Sequence, residues 1–168
     1  SGYYSRQDFI EILKYATERH IQVIPEIESP GHSRAAIKAM DSRYNKFMKL
    51  GNKEEAERYL LRDLNDKSVY SSAQLWKDNI TCVALPSTYT FMEKVIDEIL
   101  GMYKDANAPI STIHLGGDEV PSGTWELSPL CNKLIAQDDK LNSTDDLWYY
   151  YYDKLEKIMA KRNLVVSG

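Results

Sequence analysis

A chain of 168 residues, 43% hydrophobic and 27% charged with a formal net charge of −4, has room for one domain with a sizeable core, since domains commonly span about 50–200 residues. The mixed charge offers no broad cationic surface, which argues against nucleic acid and anionic lipid as partners and favours a neutral, polar substrate. Cys82 and Cys131 are the two cysteines; they form no CxxC pair and no disulfide framework, no apolar run approaches the roughly 20 residues that span a bilayer, and none reads as a signal peptide.

Along the chain, Ser5 followed by Asp8 reads as a capping box, and Phe9, Ile12, Leu13 and Ala16 recur at helical spacing, so residues 6–19 are predicted as an amphipathic helix. The β-branched run Ile21 to Glu28 predicts a strand that stops at the polar loop Ser29-Pro30-Gly31. Residues 33–81 are rich in Lys, Glu, Asn and Asp. They predict helical pieces near 33–48 and 53–62, with 41–81 a helical insertion whose charges face solvent and to which no chemistry is assigned. A second amphipathic helix follows Pro86-Ser87, carrying Phe91, Val95, Ile96, Ile99, Leu100 and Tyr103 until Asn107-Ala108-Pro109 stops it. Ile110 to Leu115 is a predicted strand running into Gly116-Gly117-Asp118-Glu119. A third helix starts near Asp145 or Asp146 with Leu147, Trp148, Tyr151, Leu155, Ile158 and Met159 on one face, and its aromatic run Tyr149 to Tyr152 reads as core. Leu164-Val165-Val166 then opens a third strand. Helices alternating with strands, without an internal repeat, predict a parallel α/β architecture in which ligands bind beyond the carboxyl ends of the strands.

Both polar clusters sit at such ends. In His114-Leu115-Gly116-Gly117-Asp118-Glu119, two glycines permit backbone conformations closed to other residues and allow a close approach to the main chain. The adjacent carboxylates Asp118 and Glu119 are expected to divide their roles, one serving as a protonated acid beside an anionic neighbour. The bland alternative makes Asp118 a helix cap and Glu119 a surface charge; the glycines and the strand-end position weigh against it. In Pro25-Glu26-Ile27-Glu28-Ser29-Pro30-Gly31-His32, a carboxylate four residues from a histidine can fix its tautomer and so orient a catalytic group.

Val23-Ile24-Pro25-Glu26 with Pro30-Gly31-His32, followed by His114-Leu115-Gly116-Gly117-Asp118-Glu119-Val120, resembles the glycoside hydrolase family 20 β-N-acetylhexosaminidases. Gly2-Tyr3-Tyr4-Ser5, Leu85-Pro86, Trp125 and Val165-Val166-Ser167-Gly168 fall where that family has similar segments. The resemblance implies a (β/α)8 barrel of which this chain is a fragment of about three parallel strands with flanking helices. It implies hydrolysis of terminal β-linked N-acetylglucosamine or N-acetylgalactosamine with retention, the substrate's own acetamido oxygen serving as nucleophile. Carried over, Glu119 is the general acid and then the base, and Asp118 orients the acetamido group and stabilises the charge forming on it. His32 supports Glu119 and is oriented by Glu28, where many relatives have Asp; Glu26 and His114 are supporting residues, and Gly116 and Gly117 are the points of close backbone approach. The family's sugar-gripping Arg of the first strand and its pocket-walling Trp and Tyr of later strands have no counterparts here, so the isolated piece is expected to be inactive and to associate with itself through open strand edges. N-acetylhexosaminide glycans are the expected partners, no metal or cofactor is expected, and relatives imply an extracytoplasmic location.

Three rival readings are weaker. Gly-Gly-Asp-Glu also opens the diguanylate cyclase signature, but Val120 stands where that signature has Phe, and that fold lacks a Pro-Gly-His strand end. Glu26, Glu28, His32, His114, Asp118 and Glu119 are all ligand types, yet their spacing matches no metal motif. A barrel relative that binds sugar or a partner protein without turnover is opposed by the intact Asp118–Glu119 pair.

Overall fold

The structure is a computed structural model that describes residues 2–167. Among the described residues, six helices and two short strands follow one another as α1 (Arg6–Thr17), α2 (Arg34–Lys49), α3 (Lys53–Glu57), α4 (Pro86–Ala106), β1 (Thr112–His114), α5 (Pro129–Gln137), α6 (Asp146–Ala160) and β2 (Val165–Ser167). No helix is long and apolar enough to cross a membrane among the described residues.

Local chemistry explains where the helices begin and end. At α1 the capping box forms in full, with Asp8 N–H donating to Ser5 Oγ at 3.1 Å and Ser5 N–H to the Asp8 carboxylate at 2.8 Å. Pro86 opens α4, and Asn107 ends it in the left-handed conformation, φ 52°. Ser128 caps α5 by accepting from Cys131 N–H at 3.2 Å, with Pro129 next to it.

β1 and β2 pair in parallel, Ile113 opposite Val166. The predicted first strand is shorter than expected: Ile21 to Glu28 makes a single parallel step on β1, Glu26 opposite His114. His114 N–H donates to Pro25 O at 3.0 Å and Ile27 N–H to His114 O at 2.8 Å. Pro25 has no N–H for a ladder, and Ile21 and Ile24 are more than half exposed, so no neighbour draws the outer side of this run into a sheet. Tyr103 Oη, reaching from α4 to donate to Val23 O at 2.8 Å, holds it in place instead.

The core lies between this small sheet and the helices that cover it. Ile113 of β1 and Leu115 just beyond it are fully buried in one cluster with Leu147, Tyr151, Leu155 and Met159 of α6 and Met92 and Ile96 of α4. Burying each such side chain contributes about 1.5–3 kcal/mol. α1 closes one end through Ile10 and Leu13, which share a smaller cluster with Tyr103 and Ala106 of α4. The Tyr149 to Tyr152 run is core in part: Tyr151 is fully buried, whereas Tyr149 is 70% exposed.

Segment 41–81 turns most of its charges to solvent, as expected, but it also packs inward. Leu60, Leu61 and Ile80 are buried, and so is Asp63. Asp63 Oδ2 accepts from Ser128 Oγ at 2.8 Å and from Leu130 N–H at 3.1 Å, an anion set against the N-terminus of α5 where the helix dipole favours it. The segment is thus part of the packed body.

Candidate active site

The ends of two neighbouring strands are tied together at one carbonyl. Leu115 O accepts from Ser29 N–H at 3.2 Å, from Ser29 Oγ at 3.1 Å and from the Tyr152 hydroxyl at 3.2 Å. The Tyr152 hydroxyl also lies 3.3 Å from Ser29 O, so its proton is shared between the two strand ends. Burial pushes the Tyr152 phenol up to about 12, with the charges of Glu28 and Asp118 adding to the effect, which keeps it a donor.

Beyond Leu115 the backbone turns through Gly116, φ 71°, and Gly117, φ 107°, a region that L side chains rarely enter. The room a side chain would need is already taken. At Gly116 a Cβ would strike the Glu28 carboxylate, and at Gly117 it would strike the Tyr152 hydroxyl. The expected close approach to these glycines is therefore made by the protein's own Glu28 and Tyr152. Trp148 Nε1–H donates to Gly117 O at 2.8 Å, and its ring stacks on Tyr152 with centroids 4.4 Å apart. Gly117→Ala combines an adverse φ with this collision; it is expected to destabilise the fold by more than about 1 kcal/mol in urea unfolding, a loss that Tyr152→Ala in the same chain would partly relieve.

The turn delivers Asp118 and Glu119 to His32. His32 Nε2 lies 3.3 Å from Glu119 Oε2 and 3.6 Å from Asp118 Oδ2. His32, at φ 48°, and Glu119, at φ 51°, both occupy the left-handed region. For residues other than glycine this costs on the order of 1–3 kcal/mol, and such strain concentrates at functional sites. The Asp118 and Glu119 side chains are 63% and 45% exposed, so the pair faces open space on the side away from His32.

Glu28 lies behind them. Donor atoms of Glu28, His32 and Asp118 fall within 4.8 Å of one another, a grouping that acidic sites commonly show without a metal. No hydrogen bond joins Glu28 to His32 among the described residues, and Glu28 Oε2 is buried without a partner. Burial raises the Glu28 carboxyl above the usual range; the neighbouring Glu26 carboxyl and the charge of Asp118 push the same way, and His32 opposes them. A carboxyl raised in the folded state contributes stability that is complete below its unfolded value and is lost as pH climbs through the folded one. Glu28→Gln is therefore expected to raise the melting temperature relative to wild type increasingly from pH 4.5 upward, and little below it; a constant difference across pH would contradict this.

His114 is placed apart from the acidic pair. Gly116 N–H donates to its Nδ1 at 3.2 Å, which assigns the neutral ring's proton to Nε2. It braces the turn, with Glu26 Oε1 3.5 Å away.

Three contributors escaped the sequence reading. Gln74, from the segment given no chemistry, donates from Nε2 to Glu119 Oε2 at 3.0 Å. Tyr152 and Trp148, grouped there with the helix core, hold Gly117 from below. The aromatic cluster at Trp148 to Tyr152 was a visible signal, since Trp and Tyr bring a polar tip to whatever they bury; nothing in the spacing marks Gln74.

Glycosyl hydrolase family 20, catalytic domain, matches residues 1–167 of the chain. A beta-hexosaminidase of Vibrio vulnificus is 42% identical over 169 residues, taking in 100% of this chain and 20% of that protein. An N,N'-diacetylchitobiase of Vibrio harveyi is 34% identical over 193 residues, covering 98% of this chain and 22% of its own length. The crystal structure of a GH20 exo-β-N-acetylglucosaminidase from Vibrio harveyi in complex with N-acetylglucosamine superimposes with a TM-score of 0.80 at 30% identity, over 99% of this chain and 22% of that one. The chain thus spans about a fifth of the length of the curated relatives it matches, and its parallel strands and covering helices are a partial α/β barrel. It belongs to the catalytic domain of glycosyl hydrolase family 20.

Proposed function

We propose that the chain is the central part of a longer β-N-acetylhexosaminidase that removes terminal β-linked N-acetylglucosamine or N-acetylgalactosamine with retention of configuration. The observation that carries this reading is the Asp118–Glu119 pair at the end of a barrel strand, with His32 Nε2 3.3 Å from Glu119 Oε2, in a chain of this family. In this reading the acetamido oxygen of the substrate attacks the anomeric carbon as the glycosidic bond breaks, and Glu119 gives its proton to the departing oxygen. Asp118 accepts from the acetamido N–H and faces the positive charge of the oxazolinium intermediate. Glu119, now a carboxylate, takes a proton from the water that reopens the ring on the same face.

The exposure of both carboxylates supports a further point. The walls that would close the sugar pocket are supplied by other parts of the complete polypeptide, and a chemical step that depends on positioning fails without them. Ile24, in the extended run beside β1, and Val165, on β2, are each more than half exposed, which favours self-association of the isolated chain through these edges. An extracytoplasmic location belongs to the same reading.

The complete polypeptide is expected to release 4-nitrophenol from its β-N-acetylglucosaminide, with proton NMR showing the β-anomer of the free sugar first. The isolated chain is expected to release none. An α-anomeric first product, or an inactive complete polypeptide that still binds N-acetylglucosamine, would replace this mechanism by an inverting one or by a non-catalytic sugar-binding role.

A further inference from the structure

We propose that Gln74 is a positioning residue for Glu119: it fixes Oε2 as the accepting oxygen of that carboxyl, so that Oε1 carries the proton delivered to the leaving group. The inference rests on the acid–base role proposed for Glu119.

Two nitrogens converge on one oxygen. Gln74 Nε2 donates to Glu119 Oε2 at 3.0 Å, and His32 Nε2 lies 3.3 Å from the same atom. A carboxylic acid has one oxygen that accepts and one that carries hydrogen. With the Gln74 N–H directed at Oε2 and a His32 ring nitrogen beside the same atom, the proton resides on Oε1, where no protein group contends for it among the described hydrogen bonds. The arrangement suits both states of the cycle. When Glu119 is protonated, Oε2 accepts as a carbonyl; when the proton has passed to the departing oxygen, Oε2 accepts as part of a carboxylate and Oε1 is free to take a proton from water.

The loop that presents Gln74 is built to stay in place. Ser72, almost fully buried, closes a tight turn around it: Ser72 N–H donates to Trp76 O at 2.9 Å, Leu75 N–H to Ser72 O at 2.8 Å and Trp76 N–H to Ser72 Oγ at 3.1 Å. The far end is clamped to the start of α2. Arg34 places its guanidinium over the Trp76 ring at 3.9 Å and pairs with Asp78 at 2.7 Å, while Lys38 reaches the other Asp78 oxygen at 2.6 Å. Ser33 N–H donates to Asn79 O at 2.9 Å, and Thr81 N–H to Pro30 O at 2.9 Å. The segments bearing Gln74 and His32 are thus laced together, and the two groups that face Oε2 are held as a unit. Gln74 itself is exposed and makes no other hydrogen bond among those described, so the core does not depend on its amide.

The test is made in the complete polypeptide with Gln74→Met, which keeps the length and removes the donor, and with Gln74→Ala. Each is assayed on phenyl and 3,4-dinitrophenyl β-N-acetylglucosaminides. The phenyl group leaves slowly without protonation; the dinitrophenyl group leaves readily as an anion. Losing control of the acid should lower kcat on the phenyl substrate by about 10–100-fold and on the dinitrophenyl substrate by less than about threefold, with KM little changed. Equal losses on both substrates would make the loop a merely structural support and overturn the inference, as would unchanged rates on both. A wild-type enzyme that cleaves neither substrate would instead remove the hydrolase reading on which it stands, and unchanged melting temperatures exclude unfolding as the cause of any loss.

Discussion

Glu119→Gln in the complete polypeptide is expected to lower kcat on N,N'-diacetylchitobiose by about 10²–10⁴-fold, the usual worth of a positioned general acid–base. The amide keeps nearly the same shape, so the turn at φ 51° and the approach of His32 should survive, and the loss reports chemistry. Its dependence on the leaving group is the discriminating feature. A sugar alcohol departs only with a proton and suffers the full loss, while a dinitrophenolate suffers much less in the first step. Hydrolysis of the intermediate still needs a base, so an aryl substrate should show a burst of phenol followed by a slow steady rate. A uniform loss across leaving groups, without a burst, would mean that Glu119 shapes the site and does not transfer a proton.

The parts of this molecule that were legible in the sequence are those that local chemistry decides. Ser5 and Asp8, Asn107 and the apolar stripe of α6 act within a turn or two of the chain, and the structure has their elements within a few residues of the expected bounds. α5 has no counterpart among the predicted elements although Ser128-Pro129 carries its start signal, because its nine residues show too short a stripe to stand out from the loop around them. The first strand is shorter than its composition predicts for the opposite reason. Ile21 to Ile24 has strand composition, but a strand exists through its neighbours, and Pro25 together with one pairing side leaves a single step.

At the site, the strand-end position made Asp118, Glu119 and His32 readable as neighbours, since two parallel strands deliver their exits to one place. What could not be read is contact over long separation. Gln74 meets Glu119 across 45 positions and Tyr152 meets Ser29 across 123; no periodicity encodes either. The glycines show the same limit in a finer form. Their freedom was evident from the sequence, yet whether substrate, Glu28 or Tyr152 would occupy the space was settled only by packing.

Asp118→Asn should produce a different pattern from Glu119→Gln, although the two residues are adjacent. Asp118 is proposed to act on the nucleophile: its carboxylate accepts from the acetamido N–H and opposes the positive charge of the oxazolinium ion. Asparagine preserves size and can still turn its carbonyl toward the N–H, but it carries no charge. Removing one preorganised electrostatic partner of a transition state costs about 10²–10³-fold in kcat, and here the loss should be nearly the same for phenyl and dinitrophenyl substrates, because the attack on the anomeric carbon is common to both. A cationic bicyclic analogue of the oxazolinium ion should bind Asp118→Asn far more weakly than wild type while discriminating less between wild type and Glu119→Gln. The side chain is 63% exposed and stands beside another carboxylate, so losing its charge should leave the melting temperature unchanged or slightly higher. A leaving-group-dependent loss, or an analogue that binds the variant as tightly as wild type, would place Asp118 with the acid and not with the acetamido group.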